Sequence, residues 1–302
     1  MAIYDGEKFL AEQLESFIAQ TDGNWDLLVS DDGSSEQTAD ILNRFKDKVK
    51  ARHNVSIVSG PRSGSAMNFL SLIERVPDSI NLVALSDQDD VWLPEKLAKA
   101  RKKIDAISQT DQPILYSAGS MICDEELVFK TSSSAFKRLP SFRNALVQSI
   151  GGGNTMMLNG PAIRLLQATA KEVTELVMHD WWIYQIISGC GGIVLRDADR
   201  VLYYRQHANN LIGANNSWRG KYQRLFFIFD RRFVRWNDKN IAALKASRHR
   251  FTPETKRALS YYVASRHGSI IKRLVALYRS GAMRQRRSET LALYVACAVK
   301  RL

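Results

Sequence analysis

The chain has 302 residues, 45% hydrophobic and 25% charged, an ordinary globular composition that allows one large domain with a helical extension. It shows no secretory signal and no run of about 18 uncharged apolar residues, and its longest apolar stretch, Leu291 to Val299, is too short to span a membrane. Three distant cysteines, Cys123, Cys190 and Cys297, make neither a disulfide framework nor a zinc site and fit a reducing compartment, while the net charge of +12 is concentrated in residues 219–302, with 21 Lys and Arg against 4 Asp and Glu, compared with 22 against 27 before them.

Met1-Ala2-Ile3-Tyr4 is too short for the complete buried strand that opens a doubly wound sheet. Leu10, Leu14 and Phe17 recur at helical spacing, so Glu7 to Gln20 reads as an amphipathic helix. Trp25 to Ser30 reads as a strand ending in the turn residues Asp31-Asp32-Gly33-Ser34-Ser35. A helix over Gln37 to Phe45, a strand at Val55 to Val58, a helix over Ala66 to Arg75 and a strand at Leu82 to Leu85 follow. Pro94 suits the first turn of a helix running through Ile104. Ile114 to Ile122 is a strand, and Gly151-Gly152-Gly153 leads into another at Asn154 to Leu158. Pro161 to Thr169 and Trp181 to Ile187 are helical, and Ile193 to Leu195 and Val201 to Tyr204 are strands. From Trp218 the pattern is helical, basic and aromatic. Strands alternating with helices predict an α/β domain with a mainly parallel central sheet, whose ligands bind beyond the carboxyl ends of the strands. The predicted organisation is an α/β domain over 1–215 and a basic helical extension over 216–302.

Four clusters carry candidate chemistry. Asp87-Gln88-Asp89-Asp90 follows an apolar strand. Carboxylates so placed grip a hard divalent cation that in turn holds a diphosphate, or they form a solvated turn capping the next helix. Asp31 and Asp32 end another strand, either as an Asx turn or with one carboxylate accepting from a base or ribose. His179-Asp180-Trp181-Trp182 is either a sugar platform beside a proton-removing carboxylate or an N-cap acid followed by core aromatics. His207, in Tyr204-Arg205-Gln206-His207, is either a structural histidine or one that completes a metal shell or touches a phosphate.

Their order along the chain resembles the family 2 glycosyltransferases, in particular the bacterial rhamnosyltransferase-like branch. The matching stretches are Met1 to Leu10, Gln13-Leu14 with Ser16, Asp31-Asp32-Gly33-Ser34, Gly64 to Phe69, Ser86 to Lys96, Gly152 to Met157, His179 to Trp182 and Tyr204 to His207. They run in family order over about 210 residues, and Ser86 to Lys96 is the most specific of them. The resemblance implies a GT-A, Rossmann-like fold. It places Tyr4 against the nucleotide base with Asp5 beside it, Asp32 on the base or ribose, and Asn68 in the donor pocket. Asp87 and Asp89 become the motif for Mg²⁺ or Mn²⁺ and the diphosphate, Asp180 the catalytic base, and His207 a group near the metal or diphosphate. Trp181 and Trp182 are the candidate acceptor platform. Family members usually carry several more apolar residues before the Met-Ala position, which implies a truncated first strand, and Asp5 stands where Asn is commoner.

The expected activity is inverting transfer of a sugar, rhamnose being the branch's example, from a nucleotide-diphosphate donor to an acceptor hydroxyl in cell-surface polysaccharide biosynthesis. A sugar nucleotidyltransferase is the nearest alternative, but there is no early glycine-rich triphosphate loop bearing Lys or Arg. A non-catalytic nucleotide-sugar-binding module recruited by its tail would lack Asp180 or the acidic motif, and both are present. The basic tail, with Phe226, Phe227, Phe229, Phe233, Trp236, Tyr261, Tyr262 and Tyr278 interleaved, suggests peripheral docking on the anionic inner face of the cell membrane, where a lipid-linked saccharide acceptor would lie. No nucleic-acid motif accompanies it, so no nucleic-acid partner is expected. The expected location is cytoplasmic, from the cysteine usage and the lack of a secretory signal.

Overall fold

The computed structural model describes residues 1–107, 111–207 and 231–302. Strands β1 (Ala2–Ile3), β2 (Leu27–Asp31) and β3 (Val55–Ser59) pair in parallel in that order. Parallel neighbours require crossovers, which α1 (Leu10–Ile18) and α2 (Thr38–Val49) provide. On α1, Leu10, Leu14 and Phe17 share one face and are buried with Ile3, Val29 and Leu42. Each such side chain contributes about 1.5–3 kcal/mol on leaving water. The opening segment was expected to be too short for a buried strand. It is corrected in that respect: Ala2 and Ile3 are both buried and pair with Ser30 and Asp31.

The second sheet contains β4 (Leu82–Ala84), β5 (Val91–Trp92), β6 (Ile114–Cys123), β7 (Phe129–Ser132), β8 (Met156–Asn159) and β9 (Ile193–Arg205). Its order is β4-β8-β6-β9-β5, with β7 against β6. Only β6 and β9 run parallel; its other pairs are antiparallel. The α/β class stands, with parallel pairing confined to β1–β3 and β6–β9. The antiparallel β6–β7 pair is joined by a turn in which Asp124 Oδ1 accepts from Val128 N (2.8 Å), too tight for a crossover. A backbone hydrogen bond from Ala2 N to Ser86 O (3.3 Å) ties β1 to the end of β4, which sets β1–β3 beside the acidic loop.

Helices α3 (Ser65–Glu74), α4 (Lys96–Asp105), α5 (Phe142–Ala145), α6 (Gly160–Ala170) and α7 (His179–Gly189) cover the sheets. Pro94 precedes its helix, which starts at Lys96. Pro161 does sit in the first turn of α6, whose N-cap Asn159 accepts from Ala162 N (3.0 Å).

Four helices close the described chain: α8 (Arg231–Ala246), α9 (Pro253–Ala264), α10 (Ile270–Ser280) and α11 (Arg287–Ala298). Phe233, Leu244, Leu259, Tyr262, Leu277 and Leu293 join one core with Phe142, Trp182 and Ile186. The boundary expected near residue 215 and the aromatics Trp218, Phe226, Phe227 and Phe229 lie outside the described residues. Two aromatics expected on a membrane-facing side, Phe233 and Tyr262, are instead core residues, and Tyr262 Oη donates to Asn237 Oδ1 (3.1 Å). Among the described residues, no helix is long and apolar enough to cross a membrane.

Candidate active site

The chain leaves β4 and turns through Ser86 to Asp90 before β5. This turn is anchored from below. The Gln13 amide of α1 reaches Ser86 Oγ (2.8 Å). The buried Asp90 carboxylate accepts from Asn154 Nδ2 through Oδ2 (2.5 Å). Lys96 Nζ donates to Asn154 O (2.5 Å) and lies 3.2 Å from the centre of the Trp92 ring. Burial, followed by the carboxylates of Asp89 and Asp87, holds the Asp90 carboxyl well above its ordinary range. Burial likewise pushes the Lys96 ammonium well below its own. Asp90 and Lys96 therefore form a dry post beneath the loop, and Asp87 and Asp89 remain above it.

Asp87 is pushed up to about 7, first by burial, then by the nearby Asp89 carboxylate and then by that of Asp180. Two carboxylates of the β4–β5 turn and one from the start of α7 are thus near enough for their charges to be felt at Asp87. Such crowding raises a pKa when countercharge is lacking, and a divalent cation would supply it. Among the described residues, no three His, Cys, Asp or Glu side chains already converge as a finished metal cage. The acidic pair fits a hard cation that keeps water and phosphate oxygens among its ligands.

Asp180 lies in the first turn of α7, whose N-cap is Met178. Burial raises its carboxyl to about 7, against the backbone N–H of Trp181, which donates to Oδ1 at 2.6 Å. His179 beside it is buried, its ring stacked on Phe69 at 3.8 Å between centroids, and burial lowers it to about 3, so the imidazole is neutral. Gly153 faces that ring: a Cβ there would lie 2.1 Å from His179 Nε2. The imidazole is stacked on Phe69, so making room for a Cβ at residue 153 would disturb that stack. Gly153→Ala is therefore expected to lower stability by about 1–3 kcal/mol, the usual cost of overpacking, seen as a fall in melting temperature. An unchanged melting temperature would show that the ring moves freely.

Asp89 is held from behind. Arg205, at the end of β9, donates from Nε to Asp89 O (3.0 Å) and from Nη2 to Glu12 Oε2 (2.7 Å), and its guanidinium lies 4.5 Å from the Phe9 ring centre. His207 Nε2 donates to Asp89 Oδ2 (2.7 Å), with its ring 5.1 Å from that of Phe9. His207, expected near the metal or diphosphate, thus lies directly against Asp89 of the acidic motif.

On the expected donor side, the Tyr4 ring is exposed, and its backbone is gripped by Gln88, which accepts from Tyr4 N (2.7 Å) and donates to Tyr4 O (2.8 Å). Asp5 has φ 45°, a left-handed conformation that Asp and Asn tolerate, and its Oδ1 accepts from Ser35 N (2.9 Å). Asp31 is the Asx turn, accepting from Gly33 N and Ser34 N. Asp32 turns toward the β3–α3 loop, where its two oxygens accept from Arg62 N (2.6 Å) and Gly64 N (2.9 Å). Asn68, expected to line the donor pocket, is 1% exposed and donates to Ser30 O (3.0 Å). It is corrected to a buried support. Gly60 leaves the space above it, since a Cβ there would come within 2.7 Å of Asp32 Oδ1 and 2.8 Å of Asn68 Oδ1.

The tryptophan platform is also corrected. Trp181 and Trp182 are 3% and 0% exposed, and Trp181 Nε1 donates to Ala145 O (2.6 Å). An indole N–H satisfied inside the core leaves no ring face for a sugar. Gln88, Asn154 and Arg205 went unassigned by sequence reasoning. All three sit inside or beside the recognised stretches, but their contacts span 58 to 193 residues of separation.

Three parallel strands beside a mixed sheet, with Asp87 and Asp89 beyond the end of β4 and Asp180 at the start of α7, make a GT-A fold. Crystal structures of similar shape include Staphylococcus aureus TarS 1–349 in complex with UDP (TM-score 0.52, 16% identity, 99% of this chain and 88% of that one). Another is the mannosyltransferase PcManGT from Pyrobaculum calidifontis in complex with GDP-Man and Mn²⁺ (TM-score 0.52, 18% identity, 99% and 85%). In sequence, the chain is 27% identical over 246 residues to the dTDP-rhamnosyl transferase RfbG of Shigella flexneri, covering 76% of this chain and 78% of that protein. The glycosyl transferase family 2 model matches residues 1–147. Residues 1–147 thus match family 2, and with these relatives the chain is a glycosyltransferase.

Proposed function

We propose that this enzyme transfers a sugar from a nucleotide-diphosphate donor to an acceptor hydroxyl with inversion at the anomeric carbon. The reading is supported by the acidic turn after β4, where the charges of Asp89 and, from α7, Asp180 both reach Asp87. The similarity to RfbG favours rhamnose as the sugar and a dTDP-linked donor. A saccharide, free or lipid-linked, in cell-surface polysaccharide assembly is the acceptor class, and the inner face of the cell membrane is the proposed workplace.

In this reading the exposed Tyr4 ring lies on the base, with Asp5 and Asp32 ordering the turns around it. Asp87 and Asp89 would hold Mg²⁺ or Mn²⁺, which supplies positive charge to the departing diphosphate. His207 and Arg205 fix the Asp89 carboxylate and backbone, a positioning role. Asp180 takes the proton of the acceptor hydroxyl. Its oxygen forms the new bond to the anomeric carbon as the bond to the diphosphate oxygen breaks, releasing a nucleoside diphosphate. A carboxylate with a pKa near 7 is matched to that task at neutral pH.

The test is a donor screen of the purified chain with Mg²⁺ or Mn²⁺, reading nucleoside diphosphate release from dTDP-rhamnose, UDP-glucose and GDP-mannose with saccharide acceptors. Release from one donor, dTDP-rhamnose first among them, is expected. A folded protein that leaves every donor intact with both metals would remove the reading.

A further inference from the structure

Helices α10 and α11 pack on each other, and their outward sides are apolar. On α10, Ile271, Val275 and Tyr278 follow at i, i+4 and i+7; Ile271 is 72% and Tyr278 76% exposed. On α11, Leu291 and Val295, with Val299 at the C-cap, follow at i, i+4 and i+8; Leu291 is 67% exposed. These spacings place each set on one side of its helix. The two helices carrying these stripes are packed neighbours. Single exposed apolar residues are commonplace, whereas six arranged on two neighbouring helices form a patch.

The charges around the patch are nearly all of one sign. From Ile270 onward the only acid is Glu289, and Arg284 Nε donates to its Oε2 (3.2 Å). Lys272, Arg279, Arg286, Arg287 and Lys300 are exposed, with Arg286 and Arg287 at the start of α11 and Lys300 just past its end. A second copy of the chain would bring the same positive rim against this one. A nucleic acid would find one exposed ring, Tyr278, and otherwise aliphatic side chains where stacking rings or base-reading amides belong. An anionic lipid surface complements both parts: acyl boundary for the aliphatic centre, headgroups for the rim.

We infer that the face formed by Ile271, Val275, Tyr278, Leu291, Val295 and Val299 is a docking surface for an anionic lipid bilayer. Of the aromatics expected from sequence, Tyr278 lies on this face, whereas Phe233 and Tyr262 are buried and aliphatic side chains supply the rest. The inference stands apart from the transfer chemistry, since it involves none of the residues of the acidic site.

The test is flotation of the full chain with vesicles of phosphatidylcholine alone or with one quarter phosphatidylglycerol. The chain is expected to float with the anionic vesicles at low salt and to be largely released at high salt, where surface charge is screened. Leu291→Ser combined with Val295→Ser should lower the vesicle partition about tenfold per residue. Arg286→Ser with Arg287→Ser should lower it about fivefold per charge. Both variants alter exposed positions, so unchanged far-ultraviolet circular dichroism and unchanged nucleoside diphosphate release in solution separate this result from a failure of the transferase reading. The inference is overturned if the intact chain ignores anionic vesicles at low salt, or if the Leu291→Ser, Val295→Ser variant floats equally well. It is also overturned if the face proves to hold a concentration-dependent dimer that the same variant dissolves.

Discussion

Asp180→Asn is expected to lower turnover by roughly 10²–10⁴, the usual worth of a positioned base, while donor binding survives. The amide keeps the shape of the carboxylate and can still accept from Trp181 N, so α7 starts in the same place. What is lost is basicity at the one acid that approaches the metal motif from another element. The pH profile carries a second signature. Burial holds the Asp180 carboxyl at about 7, and only its ionised form can take a proton. Turnover should fall about tenfold per unit as pH drops below 7 and level off above it. The effect on stability has the opposite sign. A carboxyl whose folded pKa is raised favours folding below its unfolded value of 3.8, and that contribution is lost as pH rises through about 7. Asp180→Asn removes the cost of ionising it, so at pH 8 the variant should melt no lower than the parent. Near-normal turnover of the variant at pH 7.5 would reduce Asp180 to a residue that merely opens a helix.

Much of this site could be read from residue order, because its parts are local: a strand, then Asp87-Gln88-Asp89-Asp90, and a helix opening with His179-Asp180. Periodicity also located α1, α3, α6 and β6 to within a few residues, since each has a clean apolar face. Pairing direction was less legible. β5 is two residues long and β7 four, too short for a period to emerge, and both contribute antiparallel pairs. The two segments read as separate strands at Ile193 to Leu195 and Val201 to Tyr204 are one strand, β9, whose pairing with β6 shifts register around Gly119. Such a shift interrupts alternation without ending a strand.

The tryptophans illustrate a different limit. Their composition beside Asp180 suits a sugar site and a core equally, and only the packing of α5 against α7 decides, by giving Trp181 Nε1 the carbonyl of Ala145. Likewise, Asp31 and Asp32 are adjacent in sequence yet divide their work. One closes its own turn, and the other organises the loop at Arg62 and Gly64. Partners 30 residues away cannot be inferred from a dipeptide.

Asp89→Ala is expected to abolish measurable turnover, a loss of roughly 10³ or more, comparable to removing a group that stabilises developing charge in the transition state. The argument rests on how much of the structure is committed to this one residue. Arg205 is buried, holds the Asp89 carbonyl and is itself fixed by Glu12, the Glu125 carbonyl and the Phe9 ring. His207 orients the carboxylate. In the proposed chemistry, Asp89 shares a divalent cation with Asp87, whose own carboxyl rises to about 7 through burial and the repulsion of Asp89 and Asp180. Removing Asp89 relieves that repulsion but leaves the cation one protein ligand short. Cation affinity, donor affinity in its presence and turnover should therefore fall together. His207→Ala should be milder, about 10–100-fold in cation affinity, because the ligand stays and only its orientation is freed. Manganese titrations followed by paramagnetic resonance, alongside nucleoside diphosphate release, separate the two variants. Full turnover after exhaustive chelation, or an Asp89→Ala enzyme that releases nucleoside diphosphate at the parent rate, would remove the cation from the mechanism and leave the acidic loop as a turn.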